Sequence, residues 1–103
     1  MAVKQTYTSG NWLVQEGKEE EFMRRWKEFA QWSAKNTSGS GDFYLIQETA
    51  NPRHFLSFGS WENPEAVNSW RQTPEFKDFI GGCKQLCEDF KAGDYTLRVS
   101  SED

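Results

Sequence analysis

The sequence predicts an α+β domain built on one four-stranded antiparallel sheet. Three observations predict it. Apolar residues alternate with a period of two in four segments and recur with a helical period in the segments between them. Gly and Pro punctuate the chain at Gly17, Gly39-Ser40-Gly41, Pro52, Pro64, Pro74 and Gly93. The length, 103 residues, allows one domain over 1–103, with a core from about residue 7 to residue 99.

Tyr7 to Val14 reads as the first strand, and Gly17 breaks the chain after it. From Lys18 to Ala34 the pattern is helical, with Phe22, Trp26, Phe29 and Ser33 on one stripe and Met23 and Ala30 beside it. Glu19, Glu20 and Glu21 stand in the first turn, where the helix dipole favours acids. Glu20–Arg24 and Glu21–Arg25 are spaced for ion pairs along the helix. The run from Asn36 to Gly41 is a loop.

Phe43 to Glu48 and His54 to Trp61 form a hairpin around the turn Ala50-Asn51-Pro52-Arg53. Asn63-Pro64-Glu65 opens a short helix that points Ala66, Val67 and Trp70 at the core. Thr73-Pro74-Glu75 opens a longer one. Its stripe, Phe76, Phe79, Ile80, Cys83, Leu86, Cys87 and Phe90, predicts a helix running to Gly93. Tyr95, Leu97 and Val99 then alternate as the last strand, and Ser100 to Asp103 reads as a polar tail. The order strand, helix, strand, strand, helix, strand is the ferredoxin-like plan, with the helices on one face of the sheet.

The other face is expected to be polar in a monomer, and it is not. Phe43 and Leu45 fall on one side of their strand, Tyr44 and Ile46 on the other. Phe55 and Trp61 oppose Leu56 and Phe58, and Trp12 and Val14 oppose Leu13. A sheet that is apolar on both faces needs a second cover. The expectation is a homodimer packed sheet to sheet about a two-fold axis.

Composition narrows the function. Net charge is −4 and no Lys/Arg cluster occurs, which argues against a nucleic-acid partner. No apolar run is long enough for a membrane helix, and Met1 to Gln5 does not read as a signal peptide. Two cysteines make no disulfide framework, so a cytoplasmic location is expected. Eight Phe, five Trp and three Tyr outnumber the eleven Val, Leu and Ile. An interior made largely of rings suits flat, ring-shaped ligands as well as packing.

Three runs carry a family resemblance: Gly17-Lys18-Glu19-Glu20-Glu21-Phe22, Ser57-Phe58-Gly59-Ser60-Trp61-Glu62-Asn63-Pro64-Glu65-Ala66, and Trp70-Arg71-Gln72-Thr73-Pro74-Glu75-Phe76. With these the chain resembles the antibiotic biosynthesis monooxygenase family of dimeric α/β-barrel proteins. The resemblance implies a cofactor-independent monooxygenase, with neither cofactor nor metal, acting on a small aromatic or polyketide-like substrate and O₂. A haem-binding or haem-degrading protein and a non-catalytic dimeric binding module are the alternatives. The haem-degrading branch is similar in carrying an Asn on strand one, a Trp on the short helix and an iron-ligating His on the long helix. Asn11 and Trp70 match the first two. Ile80 stands where the His would fall, and an isoleucine cannot ligate iron.

The candidate catalytic residues are Asn11 and Trp70. Asn11 shares a strand face with Leu13, and on the helix side its amide would orient a substrate oxygen; otherwise it is a buried or edge amide with its own partners. Trp70 walls a pocket or packs the core. His54 is the one histidine, and imidazole is the side-chain type suited to proton transfer near neutral pH. It is a candidate base or an exposed turn residue, and Glu62 is a second candidate base. Trp61, Phe58 and Arg71 are the candidate substrate-binding residues. Tyr44 and Tyr95 are proton carriers or packed rings, and Cys83 and Cys87 read as small buried residues on the helix stripe.

Overall fold

In the computed structural model, which describes residues 5–102, the elements are β1 (Thr6–Val14), α1 (Glu19–Asn36), β2 (Ser40–Gln47), β3 (His54–Trp61), α2 (Pro64–Gln72), α3 (Pro74–Lys84) and β4 (Cys87–Thr96). The expectations for Met1 to Lys4 and for Asp103 lie outside the described residues. The sheet order is β2-β3-β1-β4 with every neighbour antiparallel, and this is the ferredoxin-like plan.

Local chemistry sets the helix starts. Gly17, at φ 85°, makes the turn into α1 that a side chain would strain. Asn63 caps α2 by accepting from the Ala66 N–H at 2.9 Å, and Pro64 follows it. Thr73 caps α3 in the same way, accepting from the Phe76 N–H at 3.1 Å. The stripe read on α1 is the buried one: Phe22, Trp26, Phe29 and Ser33 face the sheet. Glu21 and Arg25 pair at 3.5 Å on the outer side.

The third helix corrects the sequence reading. It stops at Lys84, and the stretch read as its last turns is strand β4. Gln85 N–H donates to the Gly81 carbonyl and Leu86 N–H to the Cys83 carbonyl, a tight turn that ends the helix. Gly93, expected to end a helix, lies inside β4 opposite Ser9. Leu97 to Val99, expected as strand, fall beyond it. Beta pairing wins because the free edge of β1 needs partners along its whole length. A strand beginning at Tyr95 would reach only the start of β1, whereas Cys87–Thr96 pairs from Val14 back to Thr6.

Alternation along β1 assigns the two faces. Thr8, Gly10, Trp12 and Val14 face the helices, and Ser9, Asn11 and Leu13 face away. On the helix side the core holds Trp12, Phe22, Phe55, Trp61 and Cys83, each almost fully buried. The side away from the helices carries Tyr44, Ile46, Leu56, Phe58 and Tyr95, between 37% and 61% exposed. The two-faced apolar pattern is therefore real, and the helices cover one face only.

Candidate functional site

A cavity of about 290 Å³ lies between the sheet and the helices. The register explains why it exists. On the helix side Thr8 pairs with Gly59, and Gly10 pairs with Ser57 on one side and Ala92 on the other. Five small residues thus make a trough across β3, β1 and β4. Large rings close one end, where Phe55, Trp12 and Phe90 lie in one row, with Trp12 and Phe90 centroids 4.1 Å apart. Trp70, Phe76 and Phe29 form the roof, with Trp70 parallel to Phe29 at 5.5 Å and edge-on to Phe76 at 4.6 Å.

Both glycines of the trough, Gly10 and Gly59, are needed at their places. A Cβ on Gly10 would stand 2.5 Å from Trp12 Nε1, and one on Gly59 would stand 2.3 Å from the Phe43 ring.

Polar atoms in this apolar space are matched in pairs. Three indoles each donate to a buried hydroxyl: Trp12 Nε1 to Ser57 Oγ at 3.0 Å, Trp70 Nε1 to Ser33 Oγ at 2.8 Å, and Trp61 Nε1 to Thr8 Oγ1 at 3.1 Å. Each hydroxyl accepts from an indole and keeps its own O–H to donate. Ser57, Ser33 and Thr8 all line the cavity. Sequence reasoning did not single out these hydroxyls. The signal available was the placement of Ser and Thr on strand and helix faces otherwise filled by rings.

The structure separates the two candidate catalytic residues. Trp70 lines the cavity, but Asn11 lies on the opposite face of the sheet, contrary to the helix-side expectation. Alternation causes this: Trp12 is the residue turned inward, and its neighbour must turn outward. Asn11 instead joins His54, whose Nε2 stands 2.7 Å from Asn11 Oδ1 and whose Nδ1 stands 2.9 Å from Glu48 Oε1. His54 thus sits in a polar chain on the uncovered face, away from the cavity.

Of the candidate binding residues, Trp61 is fully buried and does not line the cavity; it packs behind Trp70 at 4.7 Å. Phe58 borders the cavity, while its ring packs on Tyr44 at 5.5 Å. Arg71 lines the cavity, and both its terminal nitrogens reach the Asp94 carboxylate, at 3.0 and 2.5 Å. Hydrogen bonding from that guanidinium holds the Asp94 carboxyl below its ordinary value. Glu62 borders a separate polar hollow with Gly39, Asn63 and Ser69.

Ile80 faces the cavity, so the position matched to the iron-ligating His looks inward. Among the described residues no three of His, Cys, Asp and Glu stand close enough to hold a metal, and no helix is long and apolar enough to cross a membrane. Cys83 is buried on α3, and Cys87 is on β4 rather than one helical turn further on. Burial pushes their thiols up to about 12 and about 11.

Comparison with known proteins agrees with this architecture. The family model for antibiotic biosynthesis monooxygenases matches residues 10–82. The chain belongs to the antibiotic biosynthesis monooxygenase family. No curated protein matches the sequence. Among solved structures, a variant of SnoaB, a cofactor-independent oxygenase from Streptomyces nogalater, is similar at 17% identity and a TM-score of 0.90, covering 98% of this chain and 100% of that one. A candidate antibiotic biosynthesis monooxygenase from Deinococcus radiodurans is similar at 19% identity and 0.81, covering 92% and 94%. A conserved protein from Methanosarcina mazei is similar at 16% and 0.80, covering 92% and 95%. At these identities the likeness concerns the fold.

Proposed function

We propose that this protein is a cofactor-independent monooxygenase of a small fused-ring phenol or anthrone, working in the cavity beneath Trp70. The observation that carries the reading is that cavity, a slot roofed and walled by rings inside a chain of a monooxygenase family. At about 290 Å³ it lies near the lower end of ligand pockets. It thus suits a flat molecule of a few fused rings.

In this reaction the ionised substrate gives one electron to O₂, and the radical pair combines at a ring carbon. The hydroperoxide then loses water: a CH₂ becomes C=O, and O₂ ends as one carbonyl oxygen and one water. The protein's part is to exclude water and hold the oxyanion. Trp70 and Phe76 stack on the substrate. The Ser57 and Thr8 hydroxyls, already accepting from indoles, donate to its oxygen. That orienting role, expected of Asn11, falls in this reading to residues on the cavity floor. Arg71 flanks the mouth. Phe58 borders the floor and Trp61 backs Trp70. His54 and Glu62 lie outside the cavity and take no proton from a substrate bound in it.

The uncovered sheet face fits a second copy of the chain, with Tyr44, Phe58 and Leu56 at its centre and the Asn11–His54–Glu48 chain at its side. The same dimer would keep both cavities outside the interface.

A second reading, a binding module without chemistry, has one observation in its favour. Among the described residues no carboxylate, imidazole, phenol or thiol lines the cavity. Oxygen uptake decides between them: the enzyme reading expects uptake with naphthol and anthrone compounds that Ser57→Ala lowers by about 10²-fold. Binding of these compounds without uptake supports the module.

A further inference from the structure

Among the described residues two charged ones line the cavity, Arg71 and Lys84, and both are cations. The chain as a whole carries −4, so the cavity has the opposite sign to the molecule around it. The two cations are not equivalent. Arg71 is already engaged by both oxygens of Asp94. Lys84 has no ion-pair partner among the described residues. Its Nζ stands 5.7 Å from the centroid of the Phe90 ring, which lies against Trp12 in the cavity wall.

We propose that Lys84 is the anion receptor of this cavity. Its ligand is then a flat aromatic compound bearing one anionic oxygen group, a carboxylate or an ionised phenol. The inference rests on the reading of the cavity as a ligand site and adds the side chain that meets the ligand's charge. Phe90 gives the ammonium a seat by cation–π attraction, with the four-carbon stem long enough to swing toward the slot. Lys84 is exposed, so an anion lying on the Trp12–Phe90 wall meets that ammonium at the open edge of the cavity rather than in its depth. That no base lines the cavity among the described residues fits a ligand that arrives already ionised.

A lysine in the last turn of a helix also complements the helix dipole, so the test separates ligand binding from helix stability. Titration calorimetry with 2-naphthoate and with 2-naphthamide compares two probes of the same shape that differ in charge. The wild type is expected to bind the naphthoate about tenfold more tightly, the scale of one hydrogen bond to a charged group. Lys84→Gln should abolish that preference while leaving naphthamide binding unchanged, and Lys84→Arg should restore it. A preference that survives Lys84→Gln, or that disappears in Arg71→Gln instead, overturns the assignment. Binding of the amide with no preference for the acid in the wild type overturns it too, while leaving the cavity a ligand site. Failure of both probes to bind removes the ligand-site reading itself.

Discussion

Trp12 and Ser57 meet diagonally across β1 and β3. The indole N–H donates to the serine hydroxyl at 3.0 Å, over the position where Gly10 has no side chain. That one contact fixes a ring of the cavity wall and a hydroxyl of its floor together. Ser57→Ala leaves a buried indole N–H without a partner, which costs about 1–3 kcal/mol. Gly10→Ala should cost a similar amount, because its methyl group would displace both partners. Urea unfolding measures both, and a midpoint equal to wild type for either variant refutes the arrangement.

Trp70→Phe keeps a ring against Phe29 and Phe76 but gives up the 2.8 Å bond to Ser33. The loss in stability should be about 1–3 kcal/mol, since Ser33 is left buried with one partner fewer. The loss in affinity for naphthamide should be the larger effect, because the roof of the slot narrows by a ring. Calorimetric titration beside urea unfolding compares the two, and unchanged affinity places the ligand elsewhere.

Phe58 and Tyr44 lie ring to ring, 5.5 Å apart, on the face the helices leave uncovered. Light scattering of the wild type at micromolar concentration should give twice the 12.0 kDa of the chain. Phe58→Asp or Tyr44→Asp places a charge in that interface and should yield monomer or unfolded protein. A wild-type monomer would falsify the sheet-to-sheet dimer.

Ile80 faces the cavity from α3. Haem added to the wild type should give no absorption band of a His-ligated complex, whereas Ile80→His should create one if the slot admits the macrocycle. A sharp His-type band in the wild type would require His54, on the far side of the sheet, as ligand, and would contradict the placement described above.

Cys83 is fully buried, and burial pushes its thiol from 9.0 up to about 12. The unfolded chain loses this proton near pH 9 and the native protein near 12. In that window the unfolded state binds fewer protons, so stability falls as pH rises. Urea midpoints measured from pH 9 upward should decline, and less steeply in Cys83→Ala. Parallel declines in the two proteins would show that the thiol is not the cause. Below pH 9 Cys83 should resist alkylation in the folded protein and react once unfolded.

The sequence by itself determined one helix stripe, two helix starts and the two-faced character of the strands. The α1 stripe of Phe22, Trp26, Phe29 and Ser33 is buried as spaced. The Asn63-Pro64 and Thr73-Pro74 pairs start two helices as capping chemistry requires. The period-two strands are apolar on both faces, and that pattern survives folding unchanged. Such features depend on neighbours within a few residues, so the chain's own order specifies them.

Tertiary structure decided the rest, and Asn11 and Phe90 show how. Strand alternation puts Asn11 opposite Trp12 but does not say which of the two faces the helices. Burying the larger indole against Phe22 and Phe90 settles it, and sends the amide to His54 on the other side. Phe90 fits the α3 stripe by spacing, yet it lies on a strand. Gly81 and Gly82, poor helix formers, weaken the helix just ahead of it. The deciding force is distant: β1 presents a row of backbone groups from Thr6 to Val14, and only a strand reaching back to Cys87 can pair them all. Periodicity reports which residues want burial. Which surface buries them, and which backbone must find a partner, depends on segments some eighty residues apart in the chain.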